Sequence, residues 1–366
     1  MKDFVLQHVR LPSGESTAIA VENGIIVHIG ADLPQDVAGP RIDGKGAYVS
    51  SGWIDLHVHA DADLNPYGDE IDEVGILQGT ATVVDAGSCG ADRIGGLFER
   101  SRSAKTNVLA LLNISHIGLT RTDELSRLEW LDENRLMDAA ERYADFVVGL
   151  KARISSSVVK EQGLAPLGLA RRFANRLNLP LMVHIGSGPP PINDILPYLS
   201  GGDMITHAFN GKANGLFDLQ GKPIPALSEA LDRGVLLDVG HGTASFSFKV
   251  AERAQAFGIT PDTISTDMYR GNRRNGPVIS MAHTLDKFLH LGYSLEETIE
   301  RVTSRPAHWL GKPELGRLQV GDVANLTVFC IHSRQVELSD SEGEIRVGTR
   351  HIKPEGVAVN GEYIAI

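Results

Sequence analysis

Two hydrophobic textures divide the chain. From residue 4 to about 50 the pattern is short, alternating and rich in Val and Ile. There Ala18-Ile19-Ala20-Val21-Glu22 and Ile25-Ile26-Val27-His28-Ile29 flank Asn23-Gly24. Asn-Gly between two such runs predicts a two-residue hairpin with a type I′ turn, because both central positions need positive φ. The same texture returns near the other end, where Asn325-Leu326-Thr327-Val328-Phe329 is followed by Val357-Ala358-Val359, Asn360-Gly361 and Tyr363-Ile364. Between these ends, apolar β runs alternate with helical patterns. The runs are 53–59, 81–86, 108–114, 146–151, 180–184, 204–207, 235–239 and 263–267, with helices such as 132–143 and 166–177 among them.

Near-continuous apolar strands separated by helices suit parallel strands covered on both faces, and eight of them suit a closed barrel better than an open sheet. The expected fold is α/β: a (β/α)8 TIM-type barrel over 51–314, with a small discontinuous β-sandwich domain built from 1–50 and 315–366. The last barrel helix is marked by Ser294-Leu295-Glu296-Glu297, a capping box, and is expected to run until Pro306.

Composition narrows the class. A chain of 366 residues with 42% hydrophobic positions can bury a large core. The net charge of −11 comes from interspersed acids and bases, which argues against a nucleic-acid or anionic-membrane partner. No stretch approaches the roughly 18 apolar residues of a membrane span, and the first residues lack a signal-peptide core, so the cytoplasm is expected. The two cysteines, Cys89 and Cys330, lie far apart and give neither a disulfide framework nor a Cys-rich zinc site. Any metal must be held by His and carboxylates. A small-molecule substrate and a homo-oligomer are the expected partners.

In a barrel of this kind, reactive groups stand at the C-terminal strand ends. Six polar residues end apolar runs: His57 and His59 on the first, Lys151 on the fourth, His184 on the fifth, His207 on the sixth and Asp267 on the eighth. Asp55, His57 and His59 share one strand face by alternation. Any one of these histidines is more often structural than a ligand; their joint placement is what points to a metal centre. An ammonium cannot bind a cation, but burial lowers a lysine pKa, and a neutral amine can add carbon dioxide to become an anionic oxygen ligand. Arg153, two residues on and on the same face, would depress Lys151 further and then stabilise the carbamate.

These residues, in Asp55-Leu56-His57-Val58-His59, Val183-His184, Thr206-His207 and Ser265-Thr266-Asp267 with Lys151, resemble the amidohydrolase superfamily with a binuclear metal centre. The resemblance implies two divalent ions, zinc being usual. The first would be held by His57, His59 and Asp267, and the second by His184 and His207. N-carboxylated Lys151 and a hydroxide would bridge them. It implies catalysis by Asp267, which would take a proton from the hydroxide and hand it to the leaving group, and it leaves Asp55 to orient an imidazole.

Within the family, dihydroorotase-type sequences carry an arginine two residues after the second histidine. Here that residue is Asp61, whose charge is expected to repel an anion. The stretches Val84-Asp85-Ala86-Gly87, 206–211, Asp238-Val239-Gly240-His241-Gly242 and Asn275-Gly276-Pro277 resemble instead a dihydroorotase-like branch of deacetylases. That likeness implies cleavage of acetylated α-hydroxy acids of the acetyl-(R)-mandelate type, or of N-acetyl-D-amino-acid compounds. The alternative is a dihydroorotase or another cyclic amide hydrolase. Phosphoester hydrolysis would use the same centre, and only the absence of a phosphate-cradling loop speaks against it. A scaffold that has lost catalysis would normally have lost ligands. Candidate substrate contacts are Arg153, Asn210 and His241, with Arg270, Arg273 and Arg274 as a basic cluster able to draw in a carboxylate. Cys89 is expected to pack.

Overall fold

A computed structural model of the chain describes residues 1–33, 37 and 39–366. The first β texture forms β1 (Phe4–Arg10), β2 (Ser16–Glu22), β3 (Ile25–Gly30), β4 (Arg41–Asp43) and β5 (Tyr48–Ser51). The barrel strands are β6 (Trp53–Val58), β7 (Thr80–Ala86), β8 (Asn107–Asn113), β9 (Val147–Ile154), β10 (Leu181–Ile185), β11 (Met204–Thr206) and β12 (Leu236–Leu237). The chain ends with β13 (Leu326–Ser339), β14 (Ile345–Val359) and β15 (Glu362–Ala365).

Strands β6 to β12 pair in sequence order in one curled parallel sheet. The eighth expected run does not join it as a regular strand. Segment 263–268 spans the open side through two parallel bridges, Asp238 with Thr263 and Val58 with Met268. Backbone bonds reinforce it from both sides: His241 N to Ser265 O at 3.1 Å, Gly242 N to Thr266 O at 2.9 Å and His59 N to Met268 O at 2.9 Å. Two buried carboxylates take over the rest of the ladder. Asp238 accepts from Thr263 Oγ1 at 2.7 Å, Ser265 Oγ at 2.6 Å and Thr206 Oγ1 at 2.7 Å. Asp55 accepts from Thr266 N at 3.1 Å, Thr266 Oγ1 at 2.6 Å and His57 N at 3.2 Å. The architecture is of TIM-barrel type, with side-chain carboxylates sewing its last seam.

Helices cover the outside as their patterns require. Asp132 caps helix Glu133–Arg142 by accepting from Arg135 N, and helix Ala165–Leu177 buries Leu167, Ala170, Phe173 and Ala174. The capping box of Ser294 and Glu297 forms, but its helix stops at Glu300 rather than near Pro306. Pro306 lies in the first turn of the next helix, Ser304–Trp309, where its missing N–H costs no intrahelical bond.

The terminal segments form one mixed sheet, in the order β15-β14-β13-β5-β1-β2-β3 with β4 on β1. Continuous pairing replaces the two separate layers expected of a sandwich. The sheet encloses its own core of Phe4, Leu6, Ile19, Val21, Val49, Leu326, Val328 and Ala358. Both Asn-Gly turns adopt the expected positive φ, at Asn23 and Gly24 and at Asn360 and Gly361. The tip of the long β13–β14 hairpin reaches back over the barrel. There Ser341 N donates to Phe246 O at 2.9 Å, Ser341 Oγ to Gly242 O at 3.0 Å and Ser247 Oγ to Glu342 Oε2 at 2.6 Å. Among the described residues no helix is long and apolar enough to cross a membrane.

Candidate metal centre

The six strand-end residues meet in one cavity of about 210 Å³ at the C-terminal mouth of the barrel, and all six line it. Lys151 Nζ lies 3.0 Å from His57 Nε2. Asp267 Oδ1 is 3.3 Å from His57 Nε2 and 3.1 Å from His59 Nε2. The His184 ring stands edge-on to His207 with centroids 4.4 Å apart. Candidate ligand atoms of His57, His207 and Asp267 all fall within 4.8 Å of one another.

The partners of their other ring nitrogens fix which nitrogen of His57 and His207 faces the cavity unprotonated. Thr206 Oγ1 gives its proton to Asp238, so at 2.9 Å from His57 Nδ1 it can only accept. His207 Nδ1 faces the Gly240 carbonyl at 2.6 Å, which also only accepts. Both Nδ1 atoms therefore carry the hydrogen, and each Nε2 keeps a free lone pair. His59 Nδ1 pairs with Ser88 Oγ at 2.8 Å, with its Nε2 turned to Asp267.

Charge follows the same logic. Burial pushes His57 and His184 well below the usual imidazole range, and it lowers His207 to about 3, against the opposing pull of Asp267. These rings are neutral at pH 7, the form that binds metal. Burial raises Asp267, but the His59 hydrogen bond and the nearby His207 and Lys151 more than reverse this, so it remains an anion. Lys151 is lowered to about 7, chiefly by burial; Asp267 opposes the shift and Arg153 adds to it. Neutral imidazoles, one carboxylate and a half-neutral amine form a donor set that fits divalent ions bound by N and O.

Backbone strain marks two of the six. His207 and Asp267 have φ of 65° and 51°, a left-handed conformation that non-glycine residues rarely adopt. A side-chain amide holds each carbonyl: Asn210 Nδ2 donates to His207 O and Asn272 Nδ2 to Asp267 O, both at 2.8 Å. Gly240 and Gly242 pack so closely that a Cβ would strike His207 Nδ1 in the first case and the Asp267 carboxylate in the second.

Several expected substrate contacts lie elsewhere. Asn210 is buried and spends its amide on His207 O and Lys212 N. His241 is fully buried with its Nε2 2.8 Å from Lys287 Nζ, stacked on Phe246 and away from the cavity. Asp55 binds backbone N–H groups rather than an imidazole. Asp61 is buried against Arg93 and Arg100, so its charge is neutralised and does not face a substrate. Arg273 pairs with Asp69 and Glu73, Arg270 approaches Asp69, and neither these nor Arg274 lines the cavity. Cys89 packs, with Sγ 3.3 Å from Asp61 Oδ2.

Arg153 does line the cavity, pairing with buried Glu124 at 3.1 Å and lying over the Tyr67 ring. The loops add Tyr67, Leu119, Lys212, Thr243 and Tyr269, none of which the strand pattern singled out. Lys212 follows directly on the motif stretch 206–211 and was within reach of that reading.

No family model matches the chain. A deacetylase of Enterococcus faecalis is 39% identical over 362 residues, covering 98% of both chains. A deacetylase of Agrobacterium fabrum is 36% identical over 96% of this chain and 88% of its own. Among solved structures, one described as an adenine deaminase superposes with TM-score 0.96 at 38% identity over the full length of both chains. One described as a dihydroorotase superposes with TM-score 0.91 at 34% identity, covering all of this chain and 98% of its own. An L-hydantoinase from Arthrobacter aurescens, at 18% identity and TM-score 0.72 over all of this chain and 96% of its own, shares the fold. Relatives of this identity, matched end to end, leave one family for a barrel with this mouth: the chain belongs to the amidohydrolase superfamily.

Proposed function

We propose that the protein removes an acetyl group from an acetylated α-hydroxy acid such as acetyl-(R)-mandelate, or from an N-acetyl-D-amino-acid compound. At the coarser level it is a metal-dependent amidohydrolase acting on an amide or ester. One observation carries the reading: the free Nε2 atoms of His57 and His207, with that of His59, converge with Asp267 and Lys151 in a single cavity. His57, His59 and Asp267 would hold one ion, and His184 and His207 the other. Lys151 would serve both after N-carboxylation, in which the neutral amine adds carbon dioxide and releases a proton. Bound zinc would supply Lewis-acid polarisation of the scissile carbonyl and lower the pKa of the attacking water.

The chain does the rest. Asp267, anionic and 3.1 Å from His59 Nε2, takes the water's proton and returns it to the departing oxygen or nitrogen. Tyr67 and Tyr269, edge to face with centroids 5.1 Å apart, wall the substrate from solvent, and Thr243 Oγ1 holds the Tyr269 hydroxyl at 2.8 Å.

The deacetylase relatives support acyl removal. The neighbour described as a dihydroorotase favours a second reading, hydrolysis of a cyclic amide. Against that, the position of the dihydroorotase-type arginine holds Asp61, buried and paired. The test is a panel of O-acetyl, N-acetyl, cyclic amide and phosphoester substrates, both enantiomers, with zinc-loaded protein. We expect kcat/KM of about 10⁴ M⁻¹ s⁻¹ or more on one acetyl enantiomer. Turnover confined to dihydroorotate would overturn the reading.

A further inference from the structure

Three cations face the cavity, and their situations differ. Lys151 sits among the candidate ligands. Arg153 is neutralised by Glu124, which is itself fully buried. Lys212 alone of the three has no hydrogen-bond or ion-pair partner for its ammonium among the described residues; its side chain is half-buried, and the charge of Asp267 acts on it from across the cavity. Its backbone is not loose. Lys212 N donates to Asn210 Oδ1 at 3.0 Å, and Asn210 is tied in turn to His207 O, so the backbone from which this side chain sets out toward the cavity is held in place.

The direction matters. A Cβ added at Gly186 would lie 3.3 Å from His184 Nε2 and 3.6 Å from Lys212 Nζ. The absent side chain thus leaves a gap between a candidate ligand and an unpaired cation. Lys212 also borders a second cavity, lined by Ile192, Phe217 and Ile224 among others. It therefore stands where the reacting centre meets an adjoining and more apolar space.

A half-buried ammonium with no hydrogen bond or ion pair of its own has lost part of its hydration, and a carboxylate held there gains a charge-assisted hydrogen bond. We infer that Lys212 is a specificity-determining residue that binds the carboxylate of a monoanionic substrate, fixing it one carbon away from the acyl ester or amide at the metal centre. The inference rests on the reading above for the reaction, but it assigns a preference for anionic over neutral substrates that the reaction does not require. It also replaces the expectation drawn from Asp61: that carboxylate is paired with Arg93 and Arg100, while Lys212 offers a cation to an anionic substrate.

The test compares O-acetylmandelate with its neutral primary amide on the zinc-loaded wild type, Lys212→Met and Lys212→Arg, with metal content measured on each. In Lys212→Met the ratio of kcat/KM for carboxylate over amide should fall about thirtyfold, mainly through KM for the carboxylate, as for loss of one hydrogen bond to a charged group. Lys212→Arg should recover most of that ratio. An unchanged ratio, whether both substrates fall together or neither does, would overturn the proposal. Direct titration with (R)-mandelate separates this from the assigned reaction. If the wild type cleaves no acetyl ester, the reaction falls, and a mandelate Kd about thirtyfold weaker in Lys212→Met still supports Lys212. An equal Kd in the two proteins, or no binding to the wild type, overturns it.

Discussion

At the scale of single residues, the site works by controlling which atoms carry protons. Asp267→Asn keeps the shape and removes the proposed base. We expect turnover to fall by about 10²–10⁴-fold while part of the metal is retained, read by steady-state rates and metal analysis. Lys151 can be carboxylated only as a neutral amine, and after burial Arg153 adds to the lowering of its pKa. Arg153→Ala should lose metal and the added carbon dioxide together; full metal with an unmodified Lys151 would refute the coupling. Lys287 offers a cleaner titration, away from the ligands. Burial lowers it to about 7 against an ordinary 10.5. The unfolded chain therefore holds the extra proton between these values, and stability rises with pH across that window. Below it, the full penalty applies. In urea unfolding from pH 7 to 10, Lys287→Met should flatten the slope by about 1.4 kcal/mol per pH unit.

These residues also mark how far the sequence could be read. His57, His59, Lys151, His184, His207 and Asp267 were legible because polar side chains ending five apolar runs form a joint pattern, and the structure gathers all six in one cavity. Tyr67 and Tyr269 were not, because a loop residue has no periodicity to fix its direction; Lys212 borders a motif, yet nothing local turns it toward the mouth. Asp61 shows the same limit. Its position beside the ligands was plain, but Arg93 and Arg100, which cancel its charge, approach from a helix some thirty to forty places on, and no local pattern announces them.

At the scale of elements, the apolar runs located all eight barrel segments, yet the eighth proved to be held by carboxylates more than by a ladder. Alternation predicts which face a residue takes; it does not show that Thr263, Ser265 and Thr266 will bond to Asp238 and Asp55 instead of a neighbouring strand. Asp55→Ala removes the acceptor of three donors and leaves Thr266 and His57 N–H groups buried without partners. The expected cost is about 3 kcal/mol in urea unfolding, with weakened binding of added divalent metal because Asp267 follows Thr266 directly. Retained stability and full metal content would show that the backbone bonds alone close the seam.

At the scale of the whole molecule, the terminal sheet does more than flank the barrel. Asp340, Ser341 and Glu342, at the tip of β13–β14, hold Phe248 N, Gly242 O and Ser247 Oγ, and the loop so gripped supplies Thr243 and Ser245 to the cavity. Replacing Ser341 and Glu342 together by Ala should lower kcat/KM about tenfold through misplacement of that wall, with circular dichroism and zinc content unchanged. Unaltered kinetics would make the tip a passive cover.

That grip also divides the site between two parts of the chain. Every candidate ligand precedes residue 268, whereas the wall beside them is gripped by residues 340–342. The mouth can therefore be reshaped through the hairpin tip without touching a candidate ligand, so changes at residues 340–342 offer a way to alter substrate preference while the centre is left as it is.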